Sequence, residues 1–164
     1  FDLFGAIDHY ESLWEGAPSA YSDYAETKEN VLSLRNYIDT QEKDCCLTHI
    51  DAVAENYLIS GDDIRLIDWE YAGMNDGMWD VADVAIEAGF SPEEEQQLLT
   101  AYLQREPETR DLQHFYANKI YVDYLWTLWA KARVPYSGQD MEDWAQERYA
   151  RMKESMDQFR KLSV

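Results

Sequence analysis

Apolar side chains recur every three or four residues over the first part of the chain, which is the spacing of an amphipathic helix. Leu3, Ile7 and Tyr10 belong to this pattern. It predicts one helix over residues 1–14 and a second over residues 22–39. The glycine- and proline-containing segment 16–19 is predicted to break the chain between them.

The pattern changes near residue 45, where short apolar runs replace the long amphipathic stretches. Residues 57–59 and 64–67 predict two strands, and the turn residues at 61–63 join them into a hairpin. The segment that follows, as far as Gly77, is rich in turn-forming residues and predicts a loop.

The rest of the chain is predicted to be helical. Ser91, Pro92 and Glu94 mark a helix start, with Ser91 as the N-cap and Glu94 closing a capping box. Pro135 predicts the end of the long helix that precedes it. The predicted fold class is therefore mainly α with a small β-hairpin. The predicted helices cover residues 79–88, 92–105, 109–133 and 139–162.

The composition fits one globular domain, since 46% of the 164 residues are hydrophobic and 14% are aromatic. No window approaches the ~20 apolar residues of a transmembrane helix, and the chain shows no signal peptide. Cys45 and Cys46 are adjacent and suit a reducing compartment better than a disulfide framework. We therefore expect a cytoplasmic protein that does not contact a membrane.

The net charge is −19, from 14 Lys and Arg against 33 Asp and Glu. Nucleic acids and anionic membranes are bound through cationic side chains, so this charge argues against both as partners. It favours a small cationic ligand, which the summed field would attract. The alternative explanation of the charge is solubility.

A constellation of polar residues lies around the predicted hairpin. His49 and Asp51 are followed by Asn56, and Asp68 comes 17 residues after Asp51, at the end of the returning strand. This order suits phosphoryl transfer, in which one Asp accepts the proton of the attacking hydroxyl while an Asn and a second Asp bind Mg²⁺. Each of these residues alone is weak support. His49 alone is more often a packed structural histidine, and Asp51 alone could be an ordinary acid of a loop.

Around these residues the chain resembles the kinase-like phosphotransferases that act on small molecules, namely choline/ethanolamine kinases and aminoglycoside phosphotransferases. The resemblance to choline kinase is closer. It departs from that family at Ile50, a position that is not itself catalytic and where the family often has a polar residue. The segments that carry the resemblance are residues 66–73, 79–82 with Glu87, 124–129 and 144–149.

The resemblance implies the helical C-terminal lobe of a protein-kinase-like (α+β) fold, as one domain over residues 1–164. Residues 1–40 would be leading helices, residues 45–70 the catalytic loop and metal-binding hairpin, and residues 79–164 the acceptor-binding part. The implied reaction is ATP-dependent phosphorylation of a small amino alcohol, with choline preferred and ethanolamine as the alternative.

Roles for the polar residues follow from the same resemblance. Asp51 would orient and deprotonate the substrate hydroxyl, and His49 would support the catalytic loop. Asp80 would steady that loop through hydrogen bonds, which is a structural role. Mg²⁺ would be bound by Asn56, Asp68 and Glu70.

An aromatic pocket closed by an acid holds the quaternary ammonium group in that family. Trp126 and Trp129 share one helical face because they are three residues apart, and tryptophan faces attract cations. For all three tryptophans the alternative is a place in the helix–helix core. The residues that the resemblance assigns to the pocket are Tyr71, Trp126, Trp129 and Trp144, with Glu87 as the acid.

The glycine-rich loop and phosphate-binding lysine of a kinase N-terminal lobe have no counterpart in the chain. The chain starts with Phe1 rather than Met, which favours a fragment of a longer parent protein whose N-terminal nucleotide lobe is a further partner. We expect the isolated chain to be inactive. Two other functions stay open, an aminoglycoside or other antibiotic phosphotransferase and a non-catalytic relative that only binds cations.

Overall fold

The computed structural model describes residues 1–14 and 21–163. The described residues divide into two compact units. We call the first the sheet unit, which comprises Phe1 and Glu42–Lys119. The second, the helical unit, comprises the described residues of Asp2–Gln41 and Ile120–Val164. The predicted break at residues 16–19 lies outside the described residues.

Two small antiparallel sheets form the first part of the sheet unit. Strand β1 (Cys45–Thr48) pairs with β4 (Gly73–Asp76), and β2 (Tyr57–Ser60) pairs with β3 (Asp63–Leu66). Gly61 has a φ of 60° in the tight turn between β2 and β3, a conformation that glycine adopts without steric cost. The predicted hairpin is thereby confirmed, and a short 3-10 helix (Ala54–Asn56) precedes it.

Helices complete the sheet unit. Helix α3 (Met78–Glu87) and helix α4 (Pro92–Leu103) pack together, and Ser91 and Glu94 form the predicted capping box. One buried cluster in the core of this unit is formed by Met78, Ala82, Ala85, Leu99 and Phe115.

Four helical segments form the helical unit. They are α1 (Leu3–Ser12), α2 (Tyr24–Thr40), the part of α5 (Thr109–Ser137) from Ile120 onward, and α6 (Gln139–Leu162). Its buried side chains include Ile7, Val31, Tyr121, Leu128 and Met152.

Two predictions about elements are wrong. The predicted loop before Gly77 contains strand β4, because its backbone pairs with β1, whose residues Cys45 to Thr48 face Asp76 to Gly73. Helix α5 continues past Pro135 to Ser137. A proline removes the hydrogen bond to the carbonyl four residues earlier, here that of Lys131, and its ring crowds that carbonyl. The helix tolerates this because only two more helical residues follow Pro135. Gly138, with a φ of 76°, then ends the helix.

Within residues 1–14 and 21–163, no helix is both long enough and apolar enough to cross a bilayer.

Candidate active site

The loop after β1 is fixed by one carboxylate. The backbone N–H groups of His49 and Ile50 donate to the two oxygens of Asp80, at 2.6 and 2.9 Å. Asp80 lies in the first turn of α3, where the helix dipole favours a negative charge. Strand β1 and helix α3 therefore set the position of the loop that carries Asp51.

Ile50 has a backbone conformation that β-branched residues rarely adopt. Its φ is 76°, and its side chain is buried at 1% exposure. Such a conformation costs on the order of 1–3 kcal/mol and persists only where the surroundings enforce it. Here Asp80 accepts from the Ile50 N–H, and the indole N–H of Trp79 donates to the Ile50 carbonyl at 3.0 Å. The strain is therefore concentrated directly before Asp51.

Asp80 receives these hydrogen bonds in a poorly solvated position. Burial raises the pKa of the Asp80 carboxyl above its usual value, and the N–H groups of His49 and Ile50 oppose that change by favouring the ionised form. The carboxylate is therefore held by neutral donors, with no guanidinium or ammonium paired to it among the described residues.

A second acid from α3 binds the same loop. Asp83 is completely buried, and its carboxylate accepts from the Ala52 N–H at 2.5 Å. Sequence reasoning singled out Asp80 and missed Asp83. The signal was present, because residues three apart lie on the same helical face. The two acids hold the backbone on both sides of Asp51.

Hydrogen bonds of Asn56 and Ile67 join the loop of residues 49–56 to the end of the hairpin. The Ile67 N–H donates to the Asn56 carbonyl at 2.9 Å, and the Asn56 side-chain amide donates to the Asp51 carbonyl at 3.0 Å. The Nε2 atom of His49 donates to the Ile67 carbonyl at 2.7 Å. The structure thus brings His49, Asp51 and Asn56 together, next to the residue that precedes Asp68.

The predicted metal-binding segment is more open than this loop. Asp68 has a φ of 64° and is exposed, as is Glu70. No ion pair of Asp68 is found within the part of the chain that the structure describes. The edge of the Trp69 ring lies against His49, with 4.9 Å between ring centroids. No metal cluster of three or more His, Cys, Asp or Glu side chains occurs among the described residues.

Tyr71 and Glu87 also belong to the sheet unit. Tyr71 is half-buried in the turn before β4, and Glu87 is the half-buried last residue of α3. Each is part of an interaction with other groups.

The three predicted tryptophans form a cluster within the helical unit. Trp126 and Trp129 pack edge to face at 5.6 Å, and Trp129 and Trp144 at 6.0 Å. Trp126 is 4% exposed, whereas Trp129 and Trp144 are half-buried. Helices α5 and α6 thus bring the predicted aromatic residues of this unit together. We call these three residues the tryptophan cluster.

Two arginines lie over the rings of this cluster. The guanidinium carbon of Arg133 is 3.6 Å from the Trp129 ring centre, and that of Arg148 is 4.1 Å from the Trp144 ring centre. Arg148 is 3% exposed and donates to the buried carboxylate of Asp123 at 3.1 Å. Weakly hydrated cations therefore already occupy ring faces in this unit, which the sequence reasoning did not anticipate.

A known protein family matches this chain over most of its length. The model of the choline/ethanolamine kinase family matches residues 6–153. The protein LicA of Haemophilus influenzae is 31% identical over 157 residues, which cover 90% of this chain and 45% of that protein. The chain therefore spans about half the length of this relative.

Solved structures agree with this match. A choline/ethanolamine kinase family protein from Mesorhizobium loti superposes with a TM-score of 0.89 at 28% identity, over 99% of this chain and 57% of that one. The choline kinase LicA from Streptococcus pneumoniae gives 0.81 at 32% identity, over 96% and 56%. LicA in complex with AMP gives 0.82 at 32% identity, over 97% and 55%.

Proposed function

Since the chain belongs to the choline/ethanolamine kinase family, we propose that the protein containing it transfers the γ-phosphoryl group of ATP to the hydroxyl of choline, with ethanolamine as the alternative acceptor. The observation that carries this proposal is the loop of residues 49–56, which Asp80 and Asp83 hold in a strained conformation around Asp51. The choline kinase and the AMP complex among the similar structures support the acceptor and the nucleotide.

Asp51 is the proposed general base. Its carboxylate would accept the hydroxyl proton as the choline oxygen bonds to phosphorus and the bond from phosphorus to the ADP oxygen breaks. A general base is most effective when the loop that carries it is rigid, because a misplacement of the reacting groups by about 1 Å can lower the rate about a hundredfold. The hydrogen bonds to residues 49, 50 and 52 supply that rigidity.

His49 and Asp80 are the proposed positioning residues. His49 joins the catalytic loop to the hairpin end through the Ile67 carbonyl, and its ring is completely buried. It is therefore placed to fix the loop rather than to meet a substrate. Asp80 acts in the same way through the backbone.

Asn56, Asp68 and Glu70 are the proposed ligands of Mg²⁺. The donor set fits, because Asn56 uses its amide nitrogen on the Asp51 carbonyl and so keeps its amide oxygen for a cation. Asp68 adds an exposed carboxylate, and Mg²⁺ usually takes only one or two carboxylates, with water and substrate phosphates completing its shell. When bound, the ion would neutralise charge on the phosphate oxygens.

The tryptophan cluster of the helical unit is proposed to bind the trimethylammonium group, and the substrate-binding roles of Tyr71 and Glu87 stay predictions from the resemblance. Such a group donates no conventional hydrogen bond, so aromatic faces and a carboxylate are what it requires. A cation over a tryptophan face gains about 0.5–2 kcal/mol. The packing of Trp129 against both other tryptophans supports this role.

The chain is proposed to be the C-terminal lobe of a two-lobe kinase, whose N-terminal nucleotide lobe belongs to the rest of the parent protein. The greater length of its relatives supports this division. The isolated lobe is then expected to have little activity. The proposed location is the cytoplasm, where ATP is available and thiols such as those of Cys45 and Cys46 stay reduced.

The test is ADP release by the whole parent protein with ATP and Mg²⁺, using choline, ethanolamine and a panel of aminoglycosides as acceptors. Asp51→Asn removes the base while keeping the shape of the side chain. We expect it to lower kcat by about 10²–10⁴-fold, the usual contribution of a general base. Glu55→Gln is the matched control, because it neutralises an exposed acid of the same loop and is expected to leave turnover unchanged.

The outcomes separate the candidate functions. Turnover that needs choline and disappears in Asp51→Asn supports the proposal. Turnover with aminoglycosides alone would replace choline as the acceptor. Choline binding without turnover by any acceptor would make the protein a cation-binding relative of the kinases.

A further inference from the structure

Arg133 holds a position that a cationic ligand would need. Its guanidinium carbon lies 3.6 Å from the centre of the Trp129 ring, which is stacking distance. Arg133 follows Trp129 by four residues on α5, so the two side chains meet on one helical face. A guanidinium is weakly hydrated and stacks on aromatic faces. A trimethylammonium group is recognised by the same ring property, the negative face of the π-system.

The two arginines of this cluster are held very differently. Arg148, over Trp144, is buried and bonded to the buried Asp123. Arg133 is half-buried, and it forms no ion pair within the described part of the chain. Moving Arg148 would leave a buried carboxylate without one of its partners, whereas Arg133 can leave its ring by rotating its side chain into solvent.

We infer that Arg133 is an internal competitor for the cation-binding face of Trp129 and so sets the affinity for quaternary ammonium ligands. A ligand of this class binds there only after Arg133 has left the ring. This inference rests on the proposed cation site of the tryptophan cluster and adds a residue that tunes its specificity.

Competition of this kind has a calculable cost. We call the protein open when Arg133 has rotated away from the Trp129 ring. If the Arg133–Trp129 contact is worth as much as an exposed cation–π contact, only a minority of molecules is open at any time. The apparent dissociation constant rises by the inverse of the open fraction. The expected penalty on quaternary ammonium binding is about three- to sixfold.

The competition also affects selectivity. Trimethylammonium depends on ring faces, whereas a primary ammonium can also be bound through hydrogen bonds to acceptors. Removing Arg133 is therefore expected to lower KM for choline more than KM for ethanolamine. If Arg133 acted only by electrostatic repulsion of cationic acceptors, its removal would lower the KM values for choline and ethanolamine alike. Since Arg133 acts on binding alone, kcat is expected to stay the same.

The experiment compares Arg133→Gln with the wild-type parent protein. Tetramethylammonium and choline are titrated by calorimetry, and KM and kcat are measured for choline and ethanolamine. Arg160→Gln is the matched control, because it removes one positive charge from an exposed residue of α6 that pairs with Asp157. We expect Arg133→Gln to lower both dissociation constants about three- to sixfold and Arg160→Gln to change neither.

Failure of the inference is distinguishable from failure of the proposed function. An unchanged or higher dissociation constant in Arg133→Gln overturns the inference, and so does an equal gain in Arg160→Gln. If the wild-type protein phosphorylates neither choline nor ethanolamine, the proposed function fails. Tighter tetramethylammonium binding by Arg133→Gln then still supports the inference, and no binding of that ion by the variant overturns it.

Discussion

Two regions of the molecule hold acidic side chains with different hydrogen-bond donors. One is the loop around Asp51 in the sheet unit, and the other is the contact between α5 and α6 in the helical unit. In the sheet unit, Asp80 and Asp83 accept hydrogen bonds from backbone N–H groups of the loop around Asp51. In the helical unit, the fully buried Asp123 accepts from the guanidinium groups of Arg148 and Arg151, at 2.6–3.1 Å.

The difference shows what each carboxylate does. Guanidinium groups neutralise the charge of Asp123 and join helix α5 to α6, which is a contribution to stability. Asp80 has no guanidinium or ammonium partner among the described residues, and its backbone donors fix the path of a strained loop. In the sheet unit, some stability is therefore lost in order to hold the strained loop around Asp51 in one conformation, as is common at functional sites.

The largest effect is expected for Asp123→Ala. Removing the carboxylate leaves Arg148 buried without this partner, and such losses cost about 3–5 kcal/mol of unfolding free energy. Chemical denaturation of the parent protein, followed by circular dichroism, measures this change. Asp157→Ala is the control, because it breaks an exposed pair with Arg160 and is expected to cost at most about 0.5 kcal/mol. Similar costs for the two variants would contradict the structural role of Asp123.

A smaller loss of stability and a larger loss of activity are expected for Asp80→Asn. An amide offers one acceptor oxygen in place of two, so one N–H of the loop loses its partner at a cost of about 1–3 kcal/mol. The loop then relaxes, and kcat is expected to fall about ten- to hundredfold. KM for choline is expected to change little, because Asp80 does not touch the acceptor.

Asp62→Asn serves as the control for that variant, since it makes the same substitution at an exposed turn of the sheet unit. It is expected to leave both kcat and stability unchanged. A normal kcat in Asp80→Asn would show that the hydrogen bonds from Asp80 are not needed to position Asp51. The functional contrast between Asp80 and Asp123 would then disappear.

The smallest effect concerns pH. Because burial raises the pKa of Asp80 above 3.8, the folded chain binds this proton more tightly than the unfolded chain. Its contribution to stability is therefore largest at low pH and falls as the pH rises from 3.8 through the raised pKa, by at most about 1.4 kcal/mol per pH unit. Denaturation of wild-type and Asp80→Asn proteins at a series of pH values measures it. A stability difference between them that stays constant with pH would contradict the raised pKa.

Much of the architecture follows from features local in sequence. The helix predicted over residues 139–162 matches α6, and the capping box at Ser91 and Glu94 is present as predicted. The Gly61 turn also lies where its residues indicate. Each of these signals depends on contacts between residues a few positions apart, which is why the chain alone reveals them.

The candidate site can be predicted from the sequence only in part. The order of His49, Asp51, Asn56 and Asp68 predicts phosphoryl transfer. In the structure His49 and Asn56 bond to Ile67 at the hairpin end, and Asn56 also bonds to the Asp51 carbonyl. Their roles in catalysis stay a prediction. Spacing also places Arg133 on the same helical face as Trp129, but only the tertiary structure shows that its guanidinium lies over the Trp129 ring.

What the sequence determined by itself is therefore the set of helices, the hairpin and the identity of the polar residues around it, because periodicity, capping and turn chemistry act over short distances. Tertiary structure alone decided that β4 pairs with β1, that Ile50 takes a left-handed conformation, and that Asp123 faces two arginines. These features depend on partners 25 to 31 residues away, such as Asp80 for Ile50 and Arg148 for Asp123. A local pattern carries no information about which distant group will supply the hydrogen bond.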